Sequence, residues 1–334
     1  MNAWIVFALC AGGIVLAGMR LALYGNALGR HLHIGQGWIG LIFLATLTSI
    51  PELTTTVTAA SIGEPSIAVG NALGSNLFNV AIIAVMDILL LRRRPGSFLA
   101  LVRPYHVISG GMAILLTALA LLGIVWKPGG AVLGISPISV FILIGYCAGV
   151  FLLFRAERED QTEDEPSTRK LPSLVVSSIG FLVCGAIIVV CGIYLVHASK
   201  TIAVTTGLSA SFMGAILVAI VTSLPELATS IGALRINATD MIIGNLFGSN
   251  MFNILTIFFA DAAFRGSSIL GSLGDGEGDL LLVAGSGIIL TGIAVVSIAA
   301  RTRRRVFGIG VDSIVLLGVY VAVTAVIIGR GIQL

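Results

Sequence analysis

Two glutamates stand where a charged side chain is least expected. Glu52 and Glu226 each lie inside a long apolar stretch, in the matching segments Thr48-Ser-Ile-Pro-Glu-Leu53 and Thr222-Ser-Leu-Pro-Glu-Leu227. A carboxylate near the centre of a bilayer costs roughly 3 kcal/mol on insertion scales. Two of them facing each other also repel, and a cation between them relieves both penalties. Thr48 and Glu52 are four residues apart and share one helix face, as do Thr222 and Glu226. A second motif follows each: Gly70-Asn-Ala-Leu-Gly-Ser-Asn-Leu-Phe-Asn79 and Gly244-Asn-Leu-Phe-Gly-Ser-Asn-Met-Phe-Asn253. In these, Ser75 with Asn79 and Ser249 with Asn253 repeat the spacing of four. The set is hydroxyl, amide and carboxylate oxygen, without histidine or thiol. All-oxygen ligation suits the hard ions Na+, Ca2+ and Mg2+ and is poor for Zn2+ or Cu+.

The neighbouring residues fit that chemistry. Pro51 and Pro225 remove helix hydrogen bonds and are expected to free carbonyls around Leu47–Thr48 and Val221–Thr222. Inside a bundle such carbonyls need a partner, and a cation is one. Gly70 with Gly74 and Gly244 with Gly248 form Gly-x-x-x-Gly faces for close helix packing. Asn71, Asn76, Asn245 and Asn250 are expected to bond across helices or to the kinked segments rather than to ligate. Asp87 and Asp261 end spans and read as structural, closing helix ends or meeting Arg92 and Arg265. Asp240 reads as an N-terminal cap, and Asp312 is unassigned, with a proton site left open. The histidines are scattered near loops, and no Cys-x-x-Cys pair supports a zinc site.

These groups need elements that cross a membrane. Of 334 residues, 57% are hydrophobic and 10% charged, against about 25% charged in a soluble domain. The apolar runs divide into ten spans, near 3–21, 37–62, 65–90, 105–126, 134–154, 172–195, 206–234, 238–261, 280–300 and 307–328. The first run has no positive n-region and is read as a span, not a signal peptide. Ten spans place 15 of the 19 Lys and Arg residues on one side. By the positive-inside rule that side is cytoplasmic, and both termini lie outside. The segment 155–170 is a charged cytoplasmic linker without EF-hand spacing.

The two motif pairs keep one register, which extends outward to Ala45 with Ala219, Gly40 with Gly214 and Asp87 with Asp261. Each copy begins in the second span of a five-span half. An odd number of spans per half inverts the second copy in the membrane. The expectation is an all-α polytopic membrane protein: a half over 1–154, the linker, and a half over 171–334, with two inverted five-helix repeats. Interrupted helices at matching positions mark the substrate site of such transporters.

The paired motifs resemble the alpha repeats of the cation/calcium exchanger superfamily, in particular its sodium/calcium exchanger branch, over essentially the whole chain and most specifically at 45–79 and 219–253. The resemblance implies exchange of Na+ or H+ for Ca2+ by alternating access, with Ca2+ held by Glu52 and Glu226. Thr48, Ser49, Ser75, Asn79, Thr222, Ser223, Ser249 and Asn253 would complete the ion sites, and the carbonyls of Ala45 and Ala219 match positions that serve outer Na+ sites. Several members carry Asp where this chain has Asn253, which speaks against K+ dependence. The short linker leaves no room for a calcium-sensing domain, and the size resembles prokaryotic members, hence a plasma or inner membrane.

Sodium is favoured over the proton as coupling ion, because a proton has no use for six hydroxyls arranged around two carboxylates. H+/Ca2+ exchange is the alternative, and a channel fits an inverted repeat poorly. No nucleophile–base set stands out, so no enzyme is expected. Nor is a cofactor or nucleic acid; the expected partners are the transported ions and the lipid bilayer, with a monomer sufficient.

Overall fold

The computed structural model describes residues 2–90, 97–127, 135–159, 171–206, 218–265, 268–301 and 304–331. Helix α1 (Ala3–Leu32) starts where the Asn2 side chain accepts the Trp4 N–H at 3.0 Å and ends on His33 in the left-handed region, φ 54°. The helix runs on past the span end expected near 21, and Arg20 lies exposed within it. Its long stem lets the charge reach out from an apolar surface.

Helix α2 (Gln36–Thr48), whose stretch Ile39–Leu44 is π-helical, meets α3 (Ile50–Ser61) at a 45° bend. The break falls at Ser49 (φ −92°, ψ 8°), two residues before Pro51. Pro51 sits in the first turn of α3, where a missing N–H costs nothing. The proline thus starts the second helix instead of kinking a continuous one.

Helices α4 (Pro65–Leu90), α5 (His106–Trp126), α6 (Pro137–Glu159) and α7 (Leu174–Thr206) follow. The short α8 (Ala219–Thr222) and α9 (Leu224–Arg235) repeat the break at Ser223 (φ −89°, ψ 9°), with Pro225 in the first turn of α9. Then come α10 (Thr239–Ala263), α11 (Glu277–Ala300) and α12 (Val311–Gly331). The last span was expected from 307. Instead β1 (Arg305–Val306) pairs antiparallel with β2 (Ile309–Gly310). Phe307 (φ 53°) and Gly308 (φ 82°) form the two-residue turn that suits the twist of a hairpin.

Among the described residues, eight unbroken helices are long and apolar enough to cross a membrane, and the bent pair α2–α3 makes a ninth candidate. Part of the span expected at 206–234, residues 207–217, lies outside the described residues, as do residues 160–170 of the linker and Arg92. The chain is a nearly all-helical, multi-pass membrane protein.

Burial separates inner helices from outer ones. In the most apolar window of α10, 89% of the residues are buried, and in α4 78%, against 28% in α1, α6 and α12. Helices α4 and α10 therefore form the centre. Helix α1 packs along α7 and α9, and the outer faces of α1 and α7 expose Leu9, Leu16 and Leu182, the surface a bilayer covers. The glycine faces explain how close the centre is. A Cβ on Gly248 would stand 2.6 Å from the Leu41 carbonyl oxygen, and one on Gly244 would strike the Gly37 carbonyl. Both glycines of α10 thus seat the backbone of α2, as a Gly-x-x-x-Gly face does.

Candidate ion-binding site

All twelve residues singled out from the sequence are buried, none more than 1% exposed. The helix breaks bring Ser49 and Ser223 off the helical path, and each serine reaches the other half. Ser49 Oγ donates to Glu226 Oε1 at 3.1 Å, and Ser223 Oγ donates to Glu52 Oε1 at 3.1 Å. Ser249 Oγ also donates to Glu226 Oε1, at 3.2 Å. The hydroxyls of Thr48 and Ser249 lie 3.5 Å apart, and those of Ser75 and Thr222 3.3 Å apart. Among the described residues no group of three or more His, Cys, Asp and Glu side chains is placed to hold a metal ion. The site is therefore two carboxylates in a shell of neutral oxygen.

The threonines and the two alanine carbonyls are partly engaged. Thr48 Oγ1 donates to the Leu44 carbonyl at 2.9 Å. The Ala45 carbonyl receives the Ser49 N–H at 3.0 Å, and the Ala219 carbonyl receives the Ser223 N–H and the Thr222 hydroxyl, each at 3.1 Å. Asn79 and Asn253 lie where α4 and α10 cross. Asn79 Nδ2 donates to Asn250 Oδ1 and Asn253 Nδ2 to Asn76 Oδ1, both at 3.1 Å.

Four atoms in this cluster are buried acceptors with no hydrogen-bond partner in the protein: Glu52 Oε2, Glu226 Oε2, Asn79 Oδ1 and Asn253 Oδ1. They form two pairs related by the repeat. A buried acceptor without a donor costs about 1–3 kcal/mol, more when charged.

Asn71 and Asn245 bond to the kinked segments, as expected. Asn71 Nδ2 donates to the Glu52 carbonyl at 3.2 Å and to Thr56 Oγ1 at 3.0 Å, while its Oδ1 accepts from Thr222 at 3.4 Å. Asn245 Nδ2 donates to Thr229 Oγ1 at 3.0 Å, and its Oδ1 accepts from Thr48 at 3.3 Å. Thr56 and Thr229 escaped the sequence reading. Their only signal is a threonine four or three residues after the glutamate, on the same helix face.

The aspartates outside the cluster serve the scaffold. Asp261 accepts the Ile269 N–H, the Ser136 N–H and the Ser139 hydroxyl, all at 2.7 Å. Asp87 accepts the Phe98 and Gly310 N–H groups at 2.7 Å and faces Arg305 at 3.7 Å. Each thus closes the end of its own helix, one of the two roles expected, and ties the following loop to the start of α6 or α12. Asp240 is not the cap of α10, since Ala238 holds that position. It lies in the first turn, accepts the Arg103 N–H at 2.8 Å and pairs with the Arg103 guanidinium at 3.3 Å. Asp312 lies in the first turn of α12 and accepts from Ser97 at 2.6 Å.

Comparison with known proteins agrees with this architecture. The family model described as "Sodium/calcium exchanger protein" matches residues 2–158 and 176–329. The inner membrane protein YrbG of Escherichia coli K12 is 30% identical over 264 residues, 73% of this chain and 74% of that protein. The sodium/calcium exchanger MaX1 of Methanosarcina acetivorans is 25% identical over 273 residues, 73% of this chain and 78% of that protein. A solved structure of the sodium-calcium exchanger NCX_Mj superimposes with a TM-score of 0.72 at 22% identity, covering 97% of this chain and 98% of that one, so the fold is shared. The matching family and the two named exchangers are transporters and not enzymes. With the family model matching both parts of the sequence that carry the repeated motif, the chain belongs to the sodium/calcium exchanger family.

Proposed function

We propose that the protein is a secondary antiporter that exchanges Na+ for Ca2+ by alternating access, with Ca2+ taken between Glu52 and Glu226. The observation that carries this reading is the set of four partnerless acceptors, Glu52 Oε2, Glu226 Oε2, Asn79 Oδ1 and Asn253 Oδ1. Donor side chains would have been the usual remedy for such atoms, and a hard cation is the other. Two carboxylates match the charge of one Ca2+. That ion takes six to eight oxygens, which the hydroxyls of Ser49, Ser75, Ser223 and Ser249 help to supply. Sodium needs several neutral oxygens per ion, and Thr48, Thr222 and the carbonyls of Ala45 and Ala219 stand beside the serines for that purpose. Exchange of several Na+ for one Ca2+ carries net charge and responds to voltage.

The scaffold in this reading is ten spans in two inverted halves, 1–154 and 171–334. The charged segment 155–170 is cytoplasmic, and both termini lie outside. The doubled break at Ser49 and Ser223 supports it, since it sets two like half-sites against each other. Every ligand comes from one chain, which supports transport by a monomer.

The test uses sealed vesicles loaded with Ca2+, with pH equal and strongly buffered on both sides. An outside Na+ gradient drives Ca2+ release, and choline in its place stops it. Release that ignores Na+ and follows an imposed pH gradient replaces the sodium assignment with proton coupling.

A further inference from the structure

We infer that Asn76 and Asn250 are positioning residues that set the polarity of the ion site from behind its ligands. The inference rests on the reading of Asn79 and Asn253 as ligands given above. It starts from two main-chain carbonyls. Asn76 donates Nδ2 to the carbonyl oxygen of Asn250 at 3.1 Å, and Asn250 donates Nδ2 to the carbonyl oxygen of Asn76 at 3.4 Å. A carbonyl oxygen only accepts, so each amide must turn its NH2 toward the other helix's backbone and its Oδ1 the other way. Asn250 Oδ1 then meets Asn79, which has to answer with Nδ2, and Asn76 Oδ1 receives Asn253 Nδ2 in the same manner. With their NH2 groups committed, Asn79 and Asn253 are left presenting Oδ1, and both oxygens are buried without a donor.

The relay matters because an amide is an ambivalent ligand. Turned over, it fits the same space and offers a cation a donor in place of an acceptor. A carboxylate has no wrong face. This chain places Asn at both repeat-related positions, so it needs a device that holds two amides in the acceptor-inward state. The four asparagines are at most 4% exposed, so bulk water does not compete for the amide groups. The backbone polarity of α4 and α10 is thus passed through one amide to the next and ends at a ligand oxygen.

The test is a double-mutant cycle on Ca2+ binding to the purified full chain in detergent, followed by isothermal titration. Asn250→Leu removes the acceptor that holds Asn79, and is expected to weaken Ca2+ binding by about tenfold or more. In the N79D background the ligand presents oxygen whichever way it turns, and the same Asn250→Leu change is expected to cost less than about threefold. The mate cycle, Asn76→Leu with and without N253D, gives the same pattern. Equal losses in both backgrounds mean that the leucine only disturbs the helix crossing, and overturn the inference. No loss in the native background overturns it as well. If the leucine variants do not fold, Asn250→Ala enters the same cycle, since it withdraws the acceptor without adding apolar bulk. A wild-type protein that binds no Ca2+ defeats the functional reading itself and this inference with it. Wild-type binding with an uncoupled cycle defeats the inference alone.

Discussion

The hydroxyl of Ser49 donates to the carboxylate of Glu226 across the boundary between the two halves, at 3.1 Å. Ser223 returns the bond to Glu52 at the same distance. Each broken helix therefore carries one glutamate and the donor that orients the other's. A hydrogen bond to a charged group contributes about 1.5–3 kcal/mol. Ser49→Ala and Ser223→Ala are accordingly expected to weaken Ca2+ binding by about tenfold each. Binding isotherms within twofold of the wild type would remove the serines from the site.

Glu52→Gln and Glu226→Gln preserve shape and remove one buried charge. Both are expected to fold and to lose Ca2+ uptake in vesicles. Ligand at a hundredfold excess over its Kd stabilises the wild type by about 2.7 kcal/mol, and this Ca2+-dependent rise in melting temperature should vanish in both variants. Without Ca2+ their melting temperatures should equal or exceed the wild type's, because an unneutralised carboxylate no longer has to be buried. A retained Ca2+ response in either variant contradicts the carboxylate pair.

Gly248 and Gly285 predict opposite outcomes for the same kind of change. Gly248→Val drives a side chain into the backbone of Leu41, so no monodisperse protein is expected on size-exclusion chromatography. Around Gly285 on α11 there is open space, so Gly285→Ala is tolerated and adds helix propensity of up to about 1 kcal/mol. Normal expression of the Gly248 variant would show that α2 and α10 are farther apart than described.

Asp261→Ala strands two backbone N–H groups and the Ser139 hydroxyl. The cost expected is about 3 kcal/mol or more, read as a fall in melting temperature. The Ca2+ affinity of the folded fraction should be unchanged, because Asp261 holds loops and not the ion. A selective loss of Ca2+ affinity with normal stability would move Asp261 into the site.

Orientation is testable by accessibility. With the native cysteines replaced by alanine, Glu163→Cys should react with a membrane-impermeant maleimide only from the cytoplasmic side, and Asn2→Cys only from the outside. The reverse pattern would invert the topology drawn from the distribution of Lys and Arg.

The buried polar cluster was readable from the sequence because its residues contradict their surroundings. Glu52, Ser75 and Asn79 are polar in apolar helices, and each has a mate in the same register of the second motif. Spacings of four place Thr48 with Glu52 on one face without reference to anything distant. What the sequence left open were choices between near-equal partners. Ser49 is three residues from Glu52 yet serves Glu226, because the break at Ser49 turns its side chain toward the other half. Asp87 and Asp261 each take one backbone N–H from the loop after their own helix and another from more than a hundred residues away, and only the first is near in sequence. The face that Asn79 turns to the site depends on Asn250 of α10, whose amide is held in turn by the Asn76 carbonyl, and no local pattern encodes that exchange. Hydrophobic periodicity is a local property and survives in one dimension. The direction of a hydrogen bond between two buried polar groups is decided only when the halves pack and each donor must find an acceptor within about 3 Å.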